Sequence, residues 1–182
     1  MKNKQILLAV ILLGAFAGLL FFFVKGLSKD PRSLENTAVG KNINSTQQIK
    51  LELPDLFSGE MRSLADMPLP PYLLNVWGSW CPACYTEHPY LLQLSKTIPI
   101  VGLNWPANNP NEQADAQRFL QELGNPYQQT LTDISGTTII DLGVYGAPET
   151  FLIGADGSIL YRYAGPLNAD IWQQQFLPLL NK

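Results

Sequence analysis

The sequence predicts an α/β domain, a mixed central sheet flanked by helices, carried behind an N-terminal transmembrane helix. Three observations predict it. The run from Ile6 to Val24 contains no charge and no proline. Two short apolar runs, Tyr72–Trp77 and Ile100–Asn104, bracket a segment whose apolar residues recur at helical spacing. Asp156-Gly157 stands between two further apolar runs, the local signature of an antiparallel hairpin. A parallel strand pair with a helical crossover, followed by a hairpin, makes a mixed sheet covered by helices.

The first element is the apolar run. Its 19 residues would extend about 28 Å as a helix, close to the hydrocarbon thickness of a bilayer. A cleaved signal peptide would carry a shorter apolar core, about 7–15 residues, ending in a small-x-small site. Lys25-Gly26-Leu27-Ser28 offers no such site, so the run is expected to remain as an anchor. Lys2 and Lys4 precede it and Lys25, Lys29 and Arg32 follow, so positive charge alone leaves the orientation nearly tied. The expected organisation is a tip and anchor over 1–27, a polar tether over 28–48 and a domain over 49–182.

Within the domain, Ile49–Leu53 alternates as a half-buried strand would, and the three prolines of Met67–Pro71 mark a loop. Tyr72–Trp77 suits a central buried strand. Tyr90, Leu91, Leu94 and Ile98 predict one face of a helix, and Ile100–Asn104 a second buried strand. Asn111–Gly124 reads as a helix with Ala114, Phe119, Leu120 and Leu123 inward and Gly124 as its stop. Thr150–Ile153 and Ser158–Tyr163 form the predicted hairpin around Gly154-Ala155-Asp156-Gly157. Asn168 or Asp170 can cap a last helix that carries Ile171, Trp172, Phe176 and Leu177 inward, with Pro178 limiting or kinking it.

Composition excludes several functions. Hydrophobic residues make up 46% and charged residues 15%, so the chain is not disordered through excess charge. The net charge is -3, with no cluster of basic residues interleaved with aromatics, which argues against nucleic acid as a partner. There are two cysteines, Cys81 and Cys84, and one histidine, His88. Three such ligands fall one short of a structural zinc site within a single chain, and no metal is expected.

The two cysteines instead fit redox chemistry. Trp80-Cys81-Pro82-Ala83-Cys84 follows a predicted buried strand and opens a helix, where unpaired N–H groups and the helix dipole favour a thiolate. Pro82 falls where a helix does not need its N–H. Cys81, expected to be exposed at the strand-to-helix junction, is the predicted attacking nucleophile. Cys84, one turn inside, is the resolving thiol, and the pair needs no further cofactor. Glu87 lies three residues beyond Cys84 on the same face. It is either a buried carboxyl able to exchange a proton with the resolving sulfur or an exposed helix charge. His88 is expected to be a surface or packing residue, Trp77 a core residue and Trp80 a wall of the site. Gly143–Phe151 places glycines and Pro148 before an apolar strand, where the backbone must bend. Taken alone, Pro148 would be trans by default.

LLNVWGSWCPAC with Glu87-His88, together with GVYGAPETF, resembles the CcmG/DsbE thioredoxin-like proteins of cytochrome c maturation, over almost the whole chain. The resemblance implies a thioredoxin-like fold with Pro148 cis and facing the disulfide. Ala147 would present backbone to substrate, Trp80 and Pro82 would flank it, and Glu87 and Glu149 would tune the site. It also implies a domain in the periplasm behind an inner-membrane helix, amino terminus inside. A membrane electron donor of the DsbD/CcdA kind would keep it reduced, and the substrate would be the disulfide of the haem-binding Cys-x-x-Cys-His of apocytochrome c. Ala83 stands where Thr is common in the family, and the dipeptide between the cysteines affects redox poise. The rival readings are a general oxidant or isomerase of secreted proteins, and a non-catalytic peptide-binding or metal-chaperone domain.

Overall fold

The structure is a computed structural model that describes residues 4–6, 13–21 and 51–180. The chain divides into two compact units, Met1–Arg32 and Ser33–Lys182. In the first, residues 4–6 and 13–21 are helical, and Leu13, Phe16, Leu19, Leu20 and Phe21 are exposed. Among the described residues no helix is long and apolar enough to cross a membrane. The predicted span Ile6–Val24 lies partly outside the described residues, and the tether over 28–48 lies wholly outside them.

In the second unit the strands are β1 (Glu52–Pro54), β2 (Met61–Ser63), β3 (Tyr72–Trp77), β4 (Ile100–Asn104), β5 (Gln129–Thr132), β6 (Glu149–Ile153) and β7 (Ile159–Ala164). The helices, numbered within this unit, are α1 (Pro82–Leu94), α2 (Glu112–Leu123), α3 (Thr137–Asp141) and α4, which begins at Ala169–Ile171. Five strands form one sheet in the order β5-β4-β3-β6-β7. β3, β4 and β5 are mutually parallel neighbours, while β6 runs antiparallel to β3 and β7 to β6. β1 and β2 make a separate antiparallel pair, of which Ile49 and Lys50 of the predicted strand lie outside the described residues.

Alternation along β3 sends its side chains to two cores. Leu73 and Trp77 join Leu91 and Leu94 of α1, Phe119 and Leu120 of α2, and Trp172 and Phe176 of α4. Tyr72, Leu74 and Val76 join Leu51, Leu53, Ile139 and Val144 on the other face. β3 is therefore buried on both sides, as its continuous apolar run implies. The hairpin forms as predicted, with Gly154 N donating to Ser158 O at 2.8 Å and Gly157 at φ 78°.

Four elements escaped the sequence reading: β2, a 3-10 turn at Leu64–Asp66, β5 and the short α3. β5 is Gln-Thr-Leu-Thr, too short and too polar to stand out, yet it completes the edge beside β4. The inward face of α2 also differs from the predicted one. Glu112, Ala116, Phe119 and Leu120 are buried, whereas Ala114 and Leu123 are exposed. The buried set follows a four-then-three spacing counted from Glu112, and a polar residue at its head hides the stripe from an apolar search.

At the C terminus Asn168 is the cap, its Oδ1 accepting from Ile171 N at 3.0 Å. α4 then widens into a π-helical turn over Trp172–Phe176 before an α-helical end at Leu177–Leu180. The wider turn rotates the residues around it, so Trp172 and Phe176 point inward and the half-buried Ile171 packs against the same core, while Leu177 is 39% exposed, against expectation. Pro178, lacking an N–H, sits where that ladder changes.

Candidate active site

β3 ends at Trp77 in the middle of the sheet, and residues 78–80 turn the chain into α1. Trp105 N donates to Trp77 O at 2.8 Å, and the Trp80 indole returns the tie by donating Nε1 to Trp105 O at 2.7 Å. A Cβ on Gly78 would strike that indole, so glycine is what lets Trp80 fold back over the turn. Trp80 stays 38% exposed as a wall of the site, and Pro82 is exposed beside it.

Cys81 is the N-cap of α1, with Pro82 behind it in the first turn. Its Sγ accepts from Cys84 N at 3.2 Å, the place a serine oxygen takes in an ordinary cap. Cys81 and Cys84 are joined in a disulfide, with Cα atoms 5.3 Å apart. The expectation that Cys81 is exposed is corrected: it is 2% exposed. Capping turns its sulfur back over the first turn, and the disulfide and the surrounding core cluster, with Ala147 packed against it, cover the rest.

Below the disulfide, the buried face of α1 carries Cys84, Glu87, His88, Leu91 and Leu94. The alternatives for Glu87 resolve to burial, at 1% exposure. Oε1 accepts from Asn75 Nδ2 at 3.0 Å and Oε2 from Leu167 N at 2.7 Å. Burial drives its pKa up to about 8, against the pull of those two donors. Asn75 also donates to Thr150 Oγ1 at 3.0 Å, and its Oδ1 accepts from Tyr127 Oη at 2.9 Å. In the sheet Asn75 stands between Gly102 and Thr150. The Tyr127 ring fills the space over Gly102, where a Cβ would lie 2.6 Å from it. Burial and the nearby Glu87 hold the Tyr127 phenol well above its ordinary range. His88 is a packing residue: it meets Gly124 O at 2.9 Å through Nε2 and Phe119 edge-on, and burial lowers its pKa.

The Ala147–Pro148 peptide is cis, as the resemblance implied and against the trans default. Ala147 is half-buried and Pro148 buried, with Pro148 O accepting from Gly165 N at 2.9 Å. Glu149 comes next but belongs to the other face of the sheet. Thr150 and Leu152 point toward α1, so Glu149, Phe151 and Ile153 point away. There Glu149 Oε1 pairs with Arg162 Nε, both residues being buried. Arg162 also donates to Leu142 O at 3.3 Å and Gly143 O at 2.6 Å. Burial raises the Glu149 pKa, and the guanidinium opposes it. The structure thus brings Glu87 together with the cysteines and sets Glu149 across the sheet.

Sequence reasoning missed a further buried acid near the cysteines. Glu112, 1% exposed at the head of α2, gathers four donors: Ser79 N at 2.7 Å, Ser79 Oγ at 2.6 Å, Asn104 Nδ2 at 2.8 Å and Asn109 Nδ2 at 3.1 Å. It pins the chain two residues before Cys81. An acid at a helix start looks like an ordinary first-turn charge, and only Asn104 inside an apolar strand hinted at a buried polar partner.

A helix-capping cysteine joined to its mate one turn on, with a cis-proline at the head of β6, on a mixed sheet of this order defines a thiol–disulfide oxidoreductase with a thioredoxin-like fold. The Redoxin family model matches residues 50–175. The thiol:disulfide interchange protein DsbE of Escherichia coli K12 is 41% identical over 100% of this chain and 96% of that protein. DsbE of Vibrio cholerae is 42% identical over 99% and 96%. A crystal structure described as a DsbE from Chlorobium tepidum superposes with a TM-score of 0.59 at 28% identity, over 73% of this chain and 94% of that one. DsbF of Mycobacterium tuberculosis, with a TM-score of 0.61 at 20% identity over 72% and 96%, shares the fold. The chain belongs to the DsbE family of thiol:disulfide interchange proteins.

Proposed function

We propose that this chain is a membrane-anchored reductase that opens the disulfide of the haem-binding Cys-x-x-Cys-His of apocytochrome c in the periplasm. The observation that carries the reading is the Cys81 sulfur at the head of α1, accepting the Cys84 N–H, where negative charge on sulfur is stabilised. The uncharged run Ile6–Val24 and its exposed apolar side chains support a single-pass anchor in the inner membrane, and the family resemblance, not the run, supports an amino terminus inside.

In the reduced protein the Cys81 thiolate attacks one substrate sulfur. The substrate S–S bond breaks, a Cys81–substrate disulfide forms, and the released substrate thiolate takes a proton. Cys84 gives its proton to the Glu87 carboxylate, and its sulfur then attacks Cys81 Sγ. The mixed disulfide breaks, the second substrate sulfur leaves as a thiolate that takes up the proton released by Glu87, directly or through solvent, and Cys81–Cys84 closes. Two electrons pass to the substrate, and a membrane dithiol donor of the DsbD/CcdA kind returns them by the same exchange in reverse. Trp80, Pro82, Ala147 and Pro148 line the approach, and Glu149 with Arg162 holds the Pro148 segment from behind. The redox group is the disulfide itself.

The test is trapping in the intact membrane. A Cys84→Ser chain should accumulate a mixed disulfide through Cys81 with an apocytochrome c, and a strain lacking the protein should lose covalent haem from its c-type cytochromes. Unchanged cytochrome content in that strain, with other secreted proteins trapped instead, would refute the assignment of substrate.

A further inference from the structure

Asn75 is the one polar side chain of β3 buried among apolar neighbours, and its amide ties the strand to α1, to β6 and to the segment before β5. Its two polar ends are nearly identical in shape but opposite in hydrogen-bonding sense, since Nδ2 only donates and Oδ1 only accepts. In the observed orientation both bonds to Glu87 run toward the carboxyl, from Asn75 Nδ2 and from Leu167 N. That arrangement suits a carboxylate. A protonated Glu87 must place its new O–H against an acceptor, and neither of these two partners is one. Leu167 N can only donate, so the proton belongs on Oε1, where it would meet the N–H of Asn75.

We propose that Asn75 is a positioning residue whose side-chain amide rotates by half a turn each time Glu87 gains or loses its proton. After rotation Oδ1 occupies the former place of Nδ2. It accepts from Glu87 Oε1–H and from the Thr150 hydroxyl, which can serve as donor or acceptor. Nδ2 then donates to Tyr127 Oη. Every Asn75 contact seen in the structure is kept with its direction reversed, and no side chain leaves its place. The cost falls on Tyr127, whose hydroxyl proton has no second acceptor among the described residues once Asn75 turns away. Tyr127 therefore biases the amide toward the orientation that serves the carboxylate, in opposition to burial, which favours the acid.

The groups that could otherwise set this titration are few. On α1 they are Cys84, when reduced, and His88. The segment before β5 contributes Tyr127, β6 contributes the uncharged Thr150, β7 contributes Tyr163, which pairs with Thr150 and belongs to the same core, and the chain after β7 contributes a backbone N–H. Glu149 and Arg162 belong to the opposite face of the sheet. The inference rests on the proposed exchange of a proton between Cys84 and Glu87. It adds that the exchange requires a rotating partner on β3, so that a buried carboxyl can hold a proton in one step and release it in the next.

The experiment is side-chain NMR on the full chain, isotope-labelled and held in detergent micelles, followed through the Glu87 midpoint. The Asn75 amide protons should show nuclear Overhauser contacts to Thr150 above the midpoint and to the Tyr127 ring below it, with the Asn75 and Glu87 carboxyl signals moving together. Tyr127→Phe keeps the ring over Gly102 but removes the donor to Oδ1. It should raise the Glu87 midpoint by about half to one pH unit. Asn75 protons that stay beside Thr150 while Glu87 titrates would overturn the rotation and leave the role of Glu87 intact. A Glu87 carboxyl that never titrates in the reduced protein would overturn the proton exchange on which the rotation depends. A Tyr127→Phe midpoint unchanged or lower would remove the assigned bias and with it the proposal.

Discussion

Replacing Glu87 by glutamine gives a sharp test of what burial does to this acid. The substitution keeps the shape and an acceptor for Leu167 N but removes the charge. In the unfolded chain Glu87 ionises near 4.5, whereas in the fold it holds its proton up to about 8. Between those values the folded protein binds more protons than the unfolded one, so the Glu87 contribution to stability is lost as pH rises. The rate of loss is about 1.4 kcal/mol per pH unit, with a ceiling near 5 kcal/mol for the whole interval. Glutamine cannot titrate, so Glu87→Gln should gain on the parent steadily, by about 3 kcal/mol between about pH 5.5 and pH 7.5. The assay is denaturant unfolding of both oxidised proteins across that range, taking the difference at each pH so that His88 and the other groups cancel. Only the slope matters, since any fixed cost of the amide is independent of pH. A difference that stays level would show that Glu87 is ionised in the fold and would refute the assignment of its proton.

Arg162→Met should destabilise by about 3–5 kcal/mol, because Glu149 would be left buried without its counter-charge. The loss should shrink as the pH is lowered and Glu149 protonates, which paired unfolding curves at two pH values would detect. Glu112→Ala frees four donors around the turn before Cys81. It should cost about 2–4 kcal/mol and broaden the Trp80 side-chain resonances, with Glu112→Gln recovering part of both. Gly102→Ala sets a methyl 2.6 Å from the Tyr127 ring. Such overpacking costs about 1–3 kcal/mol by thermal or denaturant unfolding. It should also move the Glu87 midpoint, because Tyr127 is displaced from Asn75.

The redox pair and the frame that holds it were legible because their signals are local. Cys81 and Cys84 lie within one helical turn, the helix follows its strand directly, and Asp156-Gly157 announces its hairpin without reference to anything distant. The proton site was only half legible. A three-residue spacing puts Glu87 on the face of Cys84, but the groups that pack on that face come from elsewhere. Asn75 is 12 residues from Glu87, 52 from Tyr127 and 75 from Thr150. Within LLNVWG it passes for an imperfection in an apolar strand. Glu112 is hidden for the same reason, since Ser79 lies 33 residues before it. The burial of Cys81 is not legible because a nucleophile at a strand-to-helix junction implies a surface sulfur, whereas this one takes the inward place of a capping group.

Glu87 and Glu149 are both buried acids, yet a sheet of hydrogen-bonded backbone stands between their side chains. The sheet acts as a bulkhead. On one side lies a compartment with no basic partner in described contact with its carboxyl, where a proton can come and go. On the other an arginine pairs with its acid, and the loop leading to the cis-proline is moored to that arginine through Leu142 and Gly143. Anchoring and titration are thereby assigned to separate chambers of one small molecule. In the proposed cycle the loop would keep its shape while the opposite chamber changes its charge.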